Sequence, residues 1–235
     1  MNPEDYKFKA TNPQQYDSPE LDWRGVGDRG DTSRVFFRNF LTPVLEDLNG
    51  KRVLDIGSGV GQLFNTLNEF GTTDIEGIEP SKRNAEYSRN LYPEIKIHEG
   101  TLQSYVSANL FDVVICIMAF EHILDIDDAF AQISKLVKTG GSFYLMIGDK
   151  DYHVEDHFSE STNFIVSVDV QELGNDVVAT KTIYPTAVIY DIFRPLLSVI
   201  DSANKAGFEL KKHIKMTNSE DPPSCHLLVF KYRQF

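Results

Sequence analysis

Short apolar runs alternate with amphipathic stretches along most of this chain. The first amphipathic stretch opens at residue 32. There Val35, Phe36, Phe40, Leu41, Val44, Leu45 and Leu48 share one helical face, and Asn49-Gly50 supplies a stop. Residues 51–56 read as a strand, a glycine-rich turn follows, and 60–70 read as a helix closed by Gly71. A second strand covers 73–78, a helix opening at Glu79-Pro80-Ser81 runs to about Leu91, and 95–98 form a third strand. Residues 111–117 are nearly all apolar, which suits a strand buried on both faces of a parallel sheet. A helix over 127–137 stops at Thr139-Gly140-Gly141, and 142–147 make a fifth strand.

Beyond residue 148 the rhythm breaks. Residues 149–158 form a polar, His- and Asp-rich loop, and 163–173 and 176–184 alternate apolar with polar across Gly174-Asn175, a hairpin signal. Helical spacing resumes over 187–206 and stops at Gly207; 208–215 and 226–231 read as two last, antiparallel strands. The expected fold is doubly wound α/β: a seven-stranded, mostly parallel sheet with a final antiparallel strand, helices on both faces and an inserted β-hairpin or lid. Residues 1–31 carry no period and read as an irregular N-terminal lid. Residues 32–235 read as a single domain with an insertion at about 149–185.

Composition narrows the partners. The chain has 235 residues, with 23 Lys and Arg against 35 Asp and Glu, a formal net charge of −12. That excess argues against a nonspecific polyanion binder, whose surface must replace phosphate counterions. Cys116 and Cys225 both sit in apolar runs and read as reduced core thiols. The first ten residues lack the apolar region of a signal peptide. The apolar run 113–120 is far shorter than the roughly 18–20 residues that span a bilayer. A cytoplasmic protein without membrane or nucleic-acid partners is expected, as a monomer or homodimer.

The most informative segment is Val53-Leu54-Asp55-Ile56-Gly57-Ser58-Gly59-Val60-Gly61-Gln62. Strand, tight glycine turn and helix follow in the order that a nucleotide-binding loop requires. A dinucleotide fingerprint would place its third glycine at position 62, which is Gln62 here. The spacing Asp55-x-Gly57-x-Gly59-x-Gly61 instead resembles motif I of the class I S-adenosylmethionine (SAM) methyltransferases of small-molecule type. An acid inside the loop suits a ligand carrying ammonium and sulfonium better than a pyrophosphate. Glu79 follows the second strand, where a carboxylate can grip both ribose hydroxyls, a device that NAD enzymes share.

The resemblance covers roughly residues 51–231. It implies SAM as cofactor, held by Asp55, Gly57, Ser58, Gly59, Gly61, Gln62, Glu79 and Pro80. Gly100, Thr101 and Leu102 resemble the loop that receives adenine, with Thr101 where family members often carry Asp. Phe111-Asp112-Val113-Val114 is similar to motif IV. Phe120-Glu121-His122-Ile123 resembles the segment that many members place beside the methyl group, with Met118 just before it. His122 is the candidate base, since an unperturbed imidazole titrates near neutrality; the alternative is a structural Glu-His pair.

The Asn/Asp-Pro-Pro-aromatic signature of amine methylation on nucleic-acid bases is missing, its place taken by Ile117-Met118-Ala119-Phe120. The acceptor is therefore expected to be a small polar metabolite, methylated on O or N. Tyr16, Tyr152, His153, His157, Tyr184, Tyr190 and Arg194 are the candidate acceptor residues, Arg194 for an anionic group. Arg24 or Arg29 is a candidate partner for the cofactor carboxylate. His153 and His157 would share a helix face, but a polar lid is the simpler reading and no metal is expected. Two rivals stay open: an NAD-dependent oxidoreductase with an atypical loop, and a catalytically silent SAM-binding regulator.

Overall fold

The computed structural model describes residues 2–17, 41–154, 167–184, 187–216 and 225–233. A seven-stranded sheet carries the fold, in the order β3-β2-β1-β4-β5-β10-β9. Its first five strands, β1 Arg52–Ile56, β2 Asp74–Glu79, β3 Lys96–Glu99, β4 Phe111–Ile117 and β5 Val137–Gly148, are parallel. The last two, β9 Phe208–Met216 and β10 Cys225–Tyr232, return antiparallel, with β10 running against both β5 and β9.

Alternate side chains of the central strands enter two cores. Leu54, Ile56, Val114, Cys116, Phe143 and Leu145 pack with helices α4 Ile126–Ser134 and α6 Leu196–Lys205. Val53, Val113, Ile115, Tyr144 and Met146 pack with α2 Phe64–Glu69, α3 Lys82–Leu91 and the segment 41–48. This is why β4 is apolar throughout: both of its faces are covered. Side-chain caps fix the entries of two of these helices. Ser81 accepts the Asn84 N–H at the start of α3, and Asp125 accepts the Asp128 N–H at the start of α4. Cys116 and Cys225 are buried and form no disulfide with one another.

Strand order reverses direction between β1 and β4. In such sheets a crevice opens beyond the carboxyl ends of the strands at the reversal point, here beyond Ile56 and Ile117.

Thr139-Gly140-Gly141 falls inside β5 rather than after a helix, residues 150–154 of the expected polar loop are helical, and four further elements differ from the sequence reading. Residues 3–16 are ordered: α1 Pro3–Ala10 carries a capping box between Asn2 and Asp5, and Pro13–Tyr16 form a 3-10 turn. Leu41 is helical, but residues 42–48 do not continue a helix. Helix α2 starts only at Phe64, because Gly61 adopts φ +86° and its N–H bonds back to the Ser58 carbonyl.

The fourth difference is the largest. Residues 188–193 form a strand, β8 Val188–Phe193, rather than the start of a helix; it pairs with β7 Val177–Ile183, which pairs with β6 Ser167–Gly174. Pro195 then stands as N-cap of α6. The inserted hairpin is thus two strands of a three-stranded antiparallel sheet, turned at Asn175-Asp176 with both residues at positive φ. Between β5 and this sheet lies the short helix α5 Lys150–Val154. Helix α1 packs on one face of the small sheet, where Tyr6 and Ala10 meet Ala179, Tyr190 and Ile192. Among the described residues no helix is long and apolar enough to cross a membrane.

Candidate active site

A cavity of about 530 Å³ opens at the crevice between β1 and β4. Its floor is the turn after β1 (Asp55 to Val60, with Gln62 and Leu63), and its walls are Ile78 to Pro80 and Gly100 to Gln103. Ile117 to Ala119 close the side of β4, while the first helical segment (Ala10, Thr11, Asn12, Pro13, Gln15 and Tyr16) and His122 to Asp125 cover the mouth.

The glycine turn is pinned against the neighbouring strand ends. Gly57 and Ser58 donate their N–H groups to the Ile78 carbonyl at 2.8 and 3.0 Å. Gly57 has φ +71°, and a Cβ there would lie 2.3 Å from the Ala119 Cβ, so no larger residue fits. Gly59 donates its N–H to Glu79 Oε2 at 2.8 Å, and Ser81 donates to Glu79 Oε1 at 2.8 Å. Burial nevertheless pushes the Glu79 carboxyl up to about 7. Asp55 is also buried, and among the described residues no group donates a hydrogen bond to its carboxylate. Burial, then repulsion from Glu79, pushes it up to about 8. Two buried carboxyls share one cavity without a cation from the described residues.

At the mouth, His122 is fixed by its partners. Its Nδ1 lies 3.1 Å from the Ala10 carbonyl, which can only accept, so Nδ1 carries the proton. Nε2 bonds to the Tyr16 hydroxyl and lies 3.5 Å from Asp191 Oδ1. Burial lowers the affinity of His122 for a second proton. Burial, and then the carboxyls of Asp191, Glu121 and Glu79, raises Tyr16 well above the usual phenol range. The resting pair is therefore a neutral imidazole accepting from a neutral phenol.

The cavity wall holds Asp55, Gly57, Ser58, Gly59, Gln62, Glu79, Pro80, Gly100, Thr101, Leu102, Met118, Tyr16 and His122. Several other residues expected at the site lie elsewhere. Gly61 is a packing position: a Cβ there would meet the rings of Tyr92 and Phe64 at 2.7 and 2.8 Å, away from the cavity. Tyr190 projects to the α1 side of the small sheet, edge-on to Tyr6 at 5.7 Å. Arg194 donates to the carbonyls of Ile123, Leu124 and Ile192, so its donors brace the chain beside the cavity and are not turned to an anion. His153 stacks on Phe193 at 4.5 Å, and neither it nor Tyr152 lines the cavity. Tyr184 also lies off the wall, near Asp191. Arg24, Arg29 and His157 lie outside the described residues.

Three residues went unread in the sequence. Asn84 lines the cavity beside Glu79, Asp17 accepts from the Ser81 hydroxyl at 2.7 Å, and Asp191 faces His122. The Ser81 cap signalled the first region. Nothing local signalled Asp191.

A family model described as a methyltransferase domain matches residues 31–176. An uncharacterized methyltransferase of Bacillus mycoides (strain KBAB4) is 31% identical over 140 residues, 57% of this chain and 65% of that protein. One from Bacillus anthracis (strain A0248) is 30% identical over the same length and shares. The match thus spans a little under two thirds of these relatives. Among solved structures, a S-adenosylmethionine-dependent methyltransferase from Clostridium acetobutylicum superposes with a TM-score of 0.65 at 14% identity, covering 89% of this chain and 95% of that one. The sugar N-methyltransferase KedS8 from Streptoalloteichus gives 0.61 at 17% identity, covering 92% and 93%. At such identities these structures share the fold with this chain.

Proposed function

The chain belongs to the methyltransferase-domain family, and from that premise we propose that it is a SAM-dependent methyltransferase acting on an O or N atom of a small polar metabolite. The observation that carries the proposal is the pair of buried acids, Asp55 and Glu79, facing one cavity without a cation from the described residues. A ligand with an ammonium and a sulfonium answers that charge, and a diphosphate would be repelled by it. The fit extends to shape. Gly57 leaves bare backbone on the cavity floor, and Glu79 keeps lone pairs free for ribose hydroxyls after accepting from Gly59 and Ser81.

In this reading Asp55 orients the ammonium, Glu79 holds the ribose, and Gly100, Thr101 and Leu102 receive the adenine. When bound, SAM supplies a methyl group on a positively charged sulfur. The chain's own residues must align the acceptor and take its proton. His122 suits the second task because Nε2 is its unprotonated nitrogen, and it reaches the cavity through the Tyr16 hydroxyl. The acid excess of the chain argues against nucleic acid and so favours a metabolite. A reducing, cytoplasmic setting suits the two buried cysteines, which form no disulfide with one another.

Production of S-adenosylhomocysteine from SAM, measured over a panel of small polar acceptors, tests the proposal. Wild type is expected to turn over at least one of them. His122→Ala is expected to lose roughly 100-fold or more in kcat, the usual size of a base's contribution, with SAM affinity kept. Full activity in His122→Ala would remove the base from the account.

A further inference from the structure

Glu79 is short of acceptor sites for two ribose hydroxyls. A carboxylate offers about four lone-pair positions. The Gly59 and Ser81 N–H groups each take one at 2.8 Å, and the Asn84 side chain gives the carboxylate a further hydrogen bond. What is left suits one hydroxyl. The other needs a second acceptor within reach of the first.

Asn84 stands there because of the way α3 begins. Ser81 caps the helix by accepting the Asn84 N–H at 3.2 Å. A side chain at that position leans back toward the helix N-terminus, here toward Glu79. In a capping box it would accept the N–H of the capping residue. Here Glu79 Oε1 takes the Ser81 N–H, which frees the Asn84 side chain for the cavity that it lines. Asn84 is only 8% exposed. An ionised carboxylate can only accept, so the amide turns its NH2 to Glu79 and keeps Oδ1 as an acceptor. Among the described residues no group donates a hydrogen bond to that oxygen.

Resting on the methyltransferase reading above, we propose that Asn84 is a second ribose-binding residue: its Oδ1 accepts one ribose hydroxyl of the cofactor while Glu79 accepts the other. The amide suits the place in charge as well as in geometry. Asp17 and Asp55 already repel Glu79, and a carboxylate at position 84 would add to that repulsion. Asn84 supplies an acceptor without a charge, and its NH2 holds the Glu79 carboxylate in place for the other hydroxyl. The ribose is thus divided between a strand end and the helix that follows it. A ligand lacking one hydroxyl or the other leaves a different residue unpaired.

Isothermal titration reads this without turnover. The ligands are S-adenosylhomocysteine and its two analogues that each lack one ribose hydroxyl (2′-deoxy and 3′-deoxy), which a site built to bond both hydroxyls should penalise. The proteins are wild type, Asn84→Ala and Glu79→Ala, with Glu79→Gln as a milder second variant of that acid; thermal melts check that each is folded. Ala favours a helix, so Asn84→Ala is expected to fold. It is expected to bind S-adenosylhomocysteine about fivefold more weakly than wild type, the size of one neutral hydrogen bond. The decisive pattern is crossed. Wild type is expected to penalise both analogues, Asn84→Ala to lose the penalty for one of them only, and the Glu79 variants to lose it for the other. If Asn84 merely braced Glu79, all the variants would blunt the same penalty. That result, or unchanged affinity in Asn84→Ala, would overturn the proposal and leave the cofactor reading standing. Failure of wild type to bind S-adenosylhomocysteine would sink the cofactor reading, and this proposal with it.

Discussion

Asp55 and Glu79 tie the proposed cofactor site to a measurable property of the free protein. Their carboxyls stand at about 8 and about 7 in the fold, against ordinary values of 3.8 and 4.5. Across that window the folded chain binds more protons than the unfolded one, so stability falls as pH rises. Asp191, pushed up to about 7 by burial, adds to the same slope. Urea unfolding midpoints are expected to fall from about pH 5 to about pH 8, and Asp55→Asn to flatten part of that fall. Binding of a cation favours the ionised forms, so SAM affinity is expected to rise with pH to about 8 and then level. Proton release should accompany binding at pH 7, measurable by calorimetry in buffers of different ionisation enthalpy. A pH-independent affinity would contradict the assignment of the two acids. Arg194→Met is expected to cost about 1 kcal/mol in the same urea assay, because it removes hydrogen bonds to the partly buried Ile123 carbonyl and the exposed Leu124 carbonyl. A loss of anionic acceptors alone would return Arg194 to the substrate side. At this scale the sequence was legible where chemistry follows a strand end at fixed spacing, as at Asp55, Gly57 and Glu79. It was silent on Asp191, whose meaning comes from a contact across 69 residues and not from its neighbours in the chain.

One element covers the mouth of the site and another contacts His122 from off the cavity wall, and both were hard to read for stated reasons. Helix α1 buries only Tyr6 and Ala10, so it shows no apolar stripe. Its signal was local instead: Asn2-Pro3-Glu4-Asp5 is a capping box with proline in the first turn. Strand β8 reads Val-Ile-Tyr-Asp-Ile-Phe, a β-branched and aromatic run that ends just before Pro195, and that composition outweighs its helical spacing. Through Ala10 and Tyr16, α1 and its following turn hold both nitrogens of His122. Tyr6→Ala is therefore expected to speed amide exchange across Pro3–Ala10 by roughly tenfold or more, with little change in the exchange of β1 to β5. The same variant is expected to lower turnover without lowering SAM affinity. Equal loss of protection in the main sheet would show that α1 belongs to the global fold and is not a separate cover.

The whole molecule divides between a sheet that sets the crevice and additions that shape its mouth. Phe130 sits at the centre of one core, with the rings of Phe120, Phe143, Phe208 and Phe230 all within 6.1 Å centroid to centroid. Phe130→Ala is expected to cost about 3–5 kcal/mol, read by urea unfolding, because five elements converge there and cannot collapse into the space. The alternation of strands and helices made this half of the fold legible, since each buried strand had to be apolar on both faces. Topology at the insertion was less legible because edge and cover strands alternate weakly. The net charge of −12 takes on a more specific meaning at this scale. Asp55 and Glu79 face the cavity, so a small part of the acid excess lies where the proposed cationic cofactor would bind. The most direct test is isothermal titration of SAM into wild type and Glu79→Ala, with thermal melts to confirm that both are folded. The account predicts one site per chain in wild type and at least roughly tenfold weaker binding in Glu79→Ala. No binding to wild type, or equal affinity in the two proteins, would contradict it.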